Sequence, residues 1–322
     1  MKDGKRNFTG DPRAATPTQI IMLRALVVSC AMLAVNAGPC AAQTTPRAVD
    51  TSNEVGNQQP NPHSNLAAGS SSGSGEDSAA ENELLESANK NRELAGVPPL
   101  RMDESLRVAA RAHAQRMVAS ERLEHQLSGE SSLMQRIALV ASRDGGLKLD
   151  RAGENIAYAN SVPDVDQALM RSAPHRQNLL DDGFNIAGIA AIRSKGRLYV
   201  VQDFAHEVPS YTTQQSGKLI GQAVGEMRQE AGLPALVQLT PPNLDEAACS
   251  LAKENPPNAH LLATAYANRR IITYTQSRPE ILPPAAVQLL RDPAVRQFAV
   301  GSCYARNVAY PTGTYWVAIL LY

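Results

Sequence analysis

The chain has 322 residues, enough for two average domains. Lys plus Arg and Asp plus Glu number 31 each, so no excess of either sign marks it for nucleic acid or another charged polymer. Aromatics are 4% of the residues and Ala is abundant, which argues against an all-β architecture.

The first 42 residues read as a targeting segment. Met22 to Val35 is a short apolar run interrupted early by Arg24, and it is followed by Gly38-Pro39 and the small residues Ala41-Ala42. This is the pattern of a secretory signal cleaved after Ala42. Residues 1–21 are polar and make an odd leader, so Met22 is the alternative start. Val27-Val28-Ser29-Cys30 offers a lipid-anchor reading that Arg24 weakens. The run is too short to span a bilayer, so the mature chain is expected to be secreted or periplasmic with no transmembrane span. Residues 43–79 are rich in Ser, Gly, Asn, Gln, Thr and Pro, a composition that buries too little apolar area to fold and reads as a flexible tether. Removal of the signal leaves Cys249 and Cys303. Export favours a disulfide between them, against two buried free thiols. Such a bridge would contribute about 2–4 kcal/mol.

A helix is predicted over 81–95, stopped by Gly96 and Pro98-Pro99. Asp103 caps a second helix, whose apolar stripe runs from Leu106 through Ala109, Ala110, His113 and Ala114 to Met117. His113 on that stripe reads as a buried residue with one hydrogen bond. Residues 151–161 read as loop. Pro163 opens a helix to about Ser172, and Pro174 opens a shorter one. Two extended runs, 186–192 and 198–204, flank Ser194-Lys195-Gly196, a hairpin signal.

The C-terminal third echoes this order. Arg92, Ala95, Gly96, Pro98 and Leu100 recur as Arg228, Ala231, Gly232, Pro234 and Leu236. Leu106 and Leu244 each lead a helix; Leu179-Leu180 and Leu289-Leu290 each precede a hairpin, whose first strand holds Gly188 or Gly301. The organisation is therefore a first domain over 80–210 and a shortened copy over 215–322.

Three polar residues of the first unit stand out: His125, Glu154 in Gly153-Glu154-Asn155-Ile156-Ala157, and His175 in Ser172-Ala173-Pro174-His175-Arg176-Gln177-Asn178-Leu179-Leu180. Each alone has an ordinary structural reading. Their order, together with Asn89-Lys90-Asn91-Arg92, Gly96 to Leu100, the helix over 109–117, Gly188 and Tyr199-Val200-Val201-Gln202-Asp203-Phe204, resembles the CAP superfamily, and its bacterial SCP-like branch above all. The resemblance covers about residues 80–207. It implies an α+β fold, an α-β-α sandwich on a central antiparallel sheet, with a surface cleft. In eukaryotic members two His and two Glu line that cleft, and the His pair can bind a divalent cation. By position His125 and His175 match the two His and Glu154 the first Glu. Ser172 stands where the second Glu would fall, and Leu169 replaces the usual Trp.

An imidazole pair suits zinc, so His125 and His175 are the candidate metal ligands. Glu154 and His175 are the candidate acid–base pair, and Ser172 and Arg176 are further ligand-binding candidates, Arg176 as a group positioning an anion or Glu154. No G-x-S-x-G elbow surrounds Ser172, so it reads as a helix-start or cleft-lining residue. Asn155 and Asn178 read as fasteners of loop backbone. In the second unit Gly-Glu-Asn is absent, Ala285 falls where His175 would, and its lone His is His260. The sequence thus points to an exported domain whose cleft binds a small molecule, lipid, cell-envelope fragment or divalent cation. A metal-dependent hydrolase and a non-catalytic interaction module are the alternatives.

Overall fold

The computed structural model describes residues 20–22, 75–141, 146–253, 260–267 and 269–322. The expected signal and tether lie outside these residues except for Ile20–Met22 and 75–79. The chain forms two compact units. One holds the described residues from Gly75 to Ser210 together with Arg306–Thr314; the other holds Tyr211–Ala305, Tyr315–Tyr322 and Ile20–Met22. No helix among the described residues is long and apolar enough to cross a membrane.

In chain order, strand β1 is Ile20–Met22 and strand β2 is Gly75–Glu76. The first unit continues with α1 (Ser78–Leu94), β3 (Arg101–Met102), α2 (Glu104–Ser120), α3 (Leu133–Ala141), β4 (Leu149–Ala159), α4 (Val162–Arg171), α5 (Ala173–Leu179), β5 (Ile186–Ser194) and β6 (Arg197–Glu207). Strand β2 and the first residues of α1 lie ahead of residue 80. Asp77 and Asp103 cap α1 and α2, each accepting a backbone N–H with its side chain. Ser161 does the same for α4, so Pro163 sits just inside that helix. Lys195 and Gly196 have φ of 49° and 77°, the two positive values of the tight hairpin turn that joins β5 to β6.

The sheet runs β2-β5-β6-β4, antiparallel throughout, with β3 added parallel to β5. Side-chain alternation sends its two faces into separate cores. Ile189, Ala191, Val200 and Phe204 pack with Leu84 and Ala88 of α1 and Val165 and Leu169 of α4. Ala190, Ile192, Val201 and Ile156 pack with Ala110, Ala114 and Met117 of α2, while Ala152, Ile186 and Ala205 pack with Leu106 and Ala109 of α2 and Ile137 of α3. This is the expected sandwich. Gly188 is required by it: a Cβ there would lie 2.1 Å from the backbone of Leu106, so α2 can cross β5 only over a glycine.

Two local readings change. Residues 151–161 are not loop; most of them form β4, paired residue by residue with β6 from Arg151 to Ala159. Gly153, Asn155 and buried Glu154 disguise the strand, because a polar group at an inward position breaks the alternation that marks strands. Helix α3 was not anticipated, although Leu133, Ile137 and Ala141 repeat at helical spacing.

The second unit contains α6 (Thr213–Glu230), β7 (Val237–Leu239), α7 (Leu244–Lys253), α8 (His260–Ala265), β8 (Arg270–Gln276), α9 (Pro284–Leu290), β9 (Gln297–Ala305) and β10 (Thr314–Leu321). Its sheet order is β1-β8-β10-β9-β7, with β7 parallel to β9 and β1 parallel to β8. A disulfide joins Cys249 on α7 to Cys303 on β9, with Cα atoms 5.1 Å apart. Gly301 repeats the logic of Gly188, since a Cβ would lie 2.3 Å from the carbonyl oxygen of Leu244.

Two buried arginines show how far the units run in parallel. Arg92 donates from Nε to the Pro98 carbonyl (2.7 Å), from Nη1 to those of Leu179 and Asp181 (2.9 Å each) and from Nη2 to that of Phe184 (3.0 Å). Arg228 donates from Nε to Pro234 (2.7 Å) and from Nη1 to Leu290 (2.6 Å) and Asp292 (3.4 Å). The register is therefore Leu179 with Leu290, one residue beyond the pairing of Leu-Leu motifs, and Ala286 rather than Ala285 stands opposite His175.

Candidate functional site

The site is built on the α2–α3 face of the first sheet. Glu154 lies between Ala152 and Ile156 on β4, and both of those face α2 and α3. Its side chain is buried there. Asn155, one residue on, points to the other face.

The residues that close around Glu154 come from three separate segments. Helix α2 ends at Glu121, whose φ of 53° turns the chain out of the helix. The following loop is pinned by buried Leu127 and by Glu130, which accepts the Leu127 backbone N–H at 3.1 Å. The loop carries His125, whose Nδ1 lies 2.9 Å from Glu154 Oε1. One turn into α3, Arg136 donates from Nη2 to Glu154 Oε2 at 2.5 Å, and its Nη1 lies 3.5 Å from Glu130 Oε1. From α2, buried His113 bonds Glu130 Oε1 through Nδ1 at 2.9 Å, and its Nε2 lies 3.9 Å from Glu154 Oε2. Across the strand pair, Asp203 of β6 stands directly opposite Glu154 and is fully buried.

The electrostatics follow from burial. Desolvation pushes the Glu154 carboxyl up to about 7 against the pull of Arg136. The Asp203 carboxyl is raised well above the ordinary range, by burial first and by the charge of Glu154 second. His113 is lowered by burial and then by Arg136, which keeps it neutral. His175 is lowered by burial and then by His125, so the two imidazoles feel each other. The His175 Nε2 is buried without a hydrogen bond.

Helix α5 is held to the sheet by amides. Asn155 donates from Nδ2 to the His175 carbonyl (3.0 Å) and to Gln202 Oε1 (3.3 Å), and Asn178 donates to the Glu154 carbonyl and to Asn155 Oδ1 (3.1 Å each). The two amides fix the backbone of the His175 segment against β4. Asn155 does so from a strand and not from a loop.

The structure rearranges part of the expected set. Glu154 takes His125 as its imidazole, not His175. Arg176 is exposed and donates to the Met170 carbonyl at 3.0 Å; the guanidinium on Glu154 belongs to Arg136. Ser172 joins α4 to α5 and makes no side-chain capping bond. Arg136, Glu130 and Asp203 were missed. The helical spacing of α3 would have drawn attention to Arg136, but nothing local in the sequence distinguishes Asp203 from a surface carboxylate.

Zinc in a catalytic site takes three protein ligands and a water. The carboxylate beside the imidazole pair has its oxygens on His125 Nδ1 and on a guanidinium, which repels a cation. Among the described residues no three His, Cys, Asp or Glu side chains are gathered for a metal. A three-ligand zinc site that includes Glu154 does not fit.

The profile of the cysteine-rich secretory protein family, CAP, matches residues 85–204. An uncharacterized protein of Bacillus subtilis, YkwD, is 33% identical over 118 residues, which are 36% of this chain and 44% of that protein. The chain thus spans less than half the length of this curated relative. Among solved structures, an outer surface protein of Borrelia burgdorferi has a TM-score of 0.37 at 18% identity, covering 40% of this chain and 94% of that one. An extracellular SCP-domain protein of Bacillus anthracis has a TM-score of 0.34 at 22% identity, covering 40% and 41%. Residues 85–204, which hold His125, Glu154 and His175, thus match the CAP family and resemble the domain of a bacterial relative.

Proposed function

We propose that the protein is an exported CAP-domain binding protein whose cleft, at His125 and His175, takes a small molecule, lipid or cell-envelope fragment. The observation that carries this reading is the Glu154–His125 hydrogen bond, backed by Arg136. A buried carboxylate held by a guanidinium fixes one face of an imidazole, and a ring so fixed presents its other nitrogen in a set direction. His175 supports the reading with a buried Nε2 that has no hydrogen-bond partner among the described residues. Among its described residues the second unit repeats the scaffold contacts of Arg92 and Gly188 without this cluster, so its proposed role is packing or partner binding as a degenerate copy.

A hydrolase is the second reading, favoured by the same hydrogen bond. A carboxylate that orients a histidine is the arrangement of a general base. His125 would then take a proton and Glu154 would hold its tautomer.

The test is thermal denaturation of the purified chain with soluble peptidoglycan fragments, lipid vesicles and zinc, each alone. Wild type is expected to rise in Tm with one of the first two, and His125→Ala plus His175→Ala to lose that rise. A shift with zinc alone would assign the imidazole pair to a cation. No shift with any probe, or an equal shift in the double variant, sinks the binding reading. Turnover of the fragments that disappears in Glu154→Gln would decide for the hydrolase.

A further inference from the structure

We propose that Asp203 is the second acid of this site, present as a neutral carboxylic acid that donates its proton to Glu154 and thereby positions the Glu154–His125 pair. Asp203 is fully buried, and neither Oδ1 nor Oδ2 receives a hydrogen bond from an N–H or hydroxyl of the described residues. Its register partners are Glu154 on β4 and Gly188 on β5. Gly188 brings no polar side chain, and a Cβ there would already strike α2, so nothing can fill in from that side. The Asp203 side chain therefore meets the Glu154 carboxyl. Two ionised carboxylates are acceptors only and cannot bond each other; one proton makes the contact a hydrogen bond.

The surroundings say where the proton sits. Glu154 already has two donors, Arg136 Nη2 and the His125 ring, and both favour its ionised form. Asp203 has none. The other charged groups of the packed elements are committed elsewhere. Arg107 of α2 lies within ion-pair reach of Glu104 and Glu81, and Glu130 is held by His113, Arg116 and Arg136. Arg136 is thus a single cation shared by Glu154 and Glu130, and its pull on Asp203 is outweighed by burial and by the neighbouring Glu154. The direction in which burial moves the Asp203 carboxyl agrees. An acid kept neutral by an apolar site so that it can donate is a known device. Here it enters from the sheet floor, while Ser172 occupies the place expected for a second acid.

The inference rests on Glu154 orienting His125, but its test needs no ligand, so it can fail while the binding reading survives. Infrared difference spectroscopy of the full chain at neutral pH reads the carbonyl band of a protonated carboxylic acid. The band is expected in wild type, absent in Asp203→Asn and retained in Glu154→Gln. Its absence from wild type, its survival in Asp203→Asn or its loss in Glu154→Gln overturns the assignment. NMR titration of His125 gives a second readout. The isosteric Asn keeps a neutral donor and is expected to leave the His125 midpoint in place. Asp203→Ala, which removes the donor and lets Glu154 hold a proton more tightly, is expected to lower it by about one pH unit. A lowered midpoint in Asp203→Asn would mean that a negative charge had been removed, and that also overturns the proposal.

Discussion

The two units carry similar scaffold contacts over different floors. Asp181 pairs with Arg151 in the first unit, and Asp292 pairs with Arg270 in the second. Three residues beyond each arginine, the first unit sets Glu154 opposite Asp203, and the second sets Thr273 opposite Ala318. His175 has Ala286 as its counterpart. The contacts that recur satisfy backbone carbonyls or let a helix cross a strand, which any such fold requires. The groups that differ are titratable and at least partly buried, and such costly groups cluster at functional sites. The comparison separates the scaffold from the site within one chain.

The largest effect is expected at the arginines, whose loss strands buried carbonyl groups. Arg92→Ala removes four carbonyl bonds and should cost about 3–5 kcal/mol in chemical denaturation. Arg228→Ala, with three bonds of which one is long, should cost less. An equal or reversed order would break the parallel between the two residues. Arg92→Lys should not restore stability, because an ammonium cannot reproduce the fork.

The disulfide exists in one unit, and its removal should act there. Cys249→Ala with Cys303→Ala is expected to cost about 2–4 kcal/mol, since the bridge closes a separation of 54 residues. Hydrogen exchange should show the loss in α7 and β9, with α2 and β5 unchanged. Equal loss in both units would mean that they unfold as one body.

Gly188→Ala and Gly301→Ala test whether the two helix crossings are equally tight. Each places a methyl group against backbone that cannot yield, at 2.1 and 2.3 Å, so each should lose about 1–3 kcal/mol by thermal denaturation. A neutral substitution at either position would show that its crossing is looser than its twin.

The smallest effect is the pH dependence, which should belong to the first unit alone. Glu154 and Asp203 are raised in the folded chain, so they contribute stability that is complete below their unfolded values and declines as pH rises, for Glu154 through about 7. His113 and His175 are lowered, so their contribution is complete above about 6.5 and is lost as pH falls below it. The opposing limbs leave a net change on the order of 1 kcal/mol between pH 5 and 8. Asp203→Asn should flatten the alkaline limb and leave the acidic one. An unchanged alkaline limb would remove Asp203 from the account.

Much of the scaffold was legible in the sequence. Asp103 caps its helix and Ser194-Lys195-Gly196 makes its turn, because each acts through its own backbone or its nearest neighbours; the caps Asp77 and Ser161 and the close approach at Gly188 emerge only in the fold. His125, Glu154 and His175 were legible through the order of motifs around them. Their partners were not. Whether Glu154 bonds His125 or His175 depends on which loop lies over β4, and Arg136 reaches it from a helix 18 residues away in the chain. Asp203 looks like any carboxylate until the β4–β6 register sets it opposite Glu154. What the sequence determined by itself is local: the Asp103 cap, the turn and the residue types present at the site. What only the tertiary structure decided is which charges share a proton, because ionisation inside a protein is set by neighbours across strands and by the exclusion of water, and neither is written in the spacing of residues along a chain.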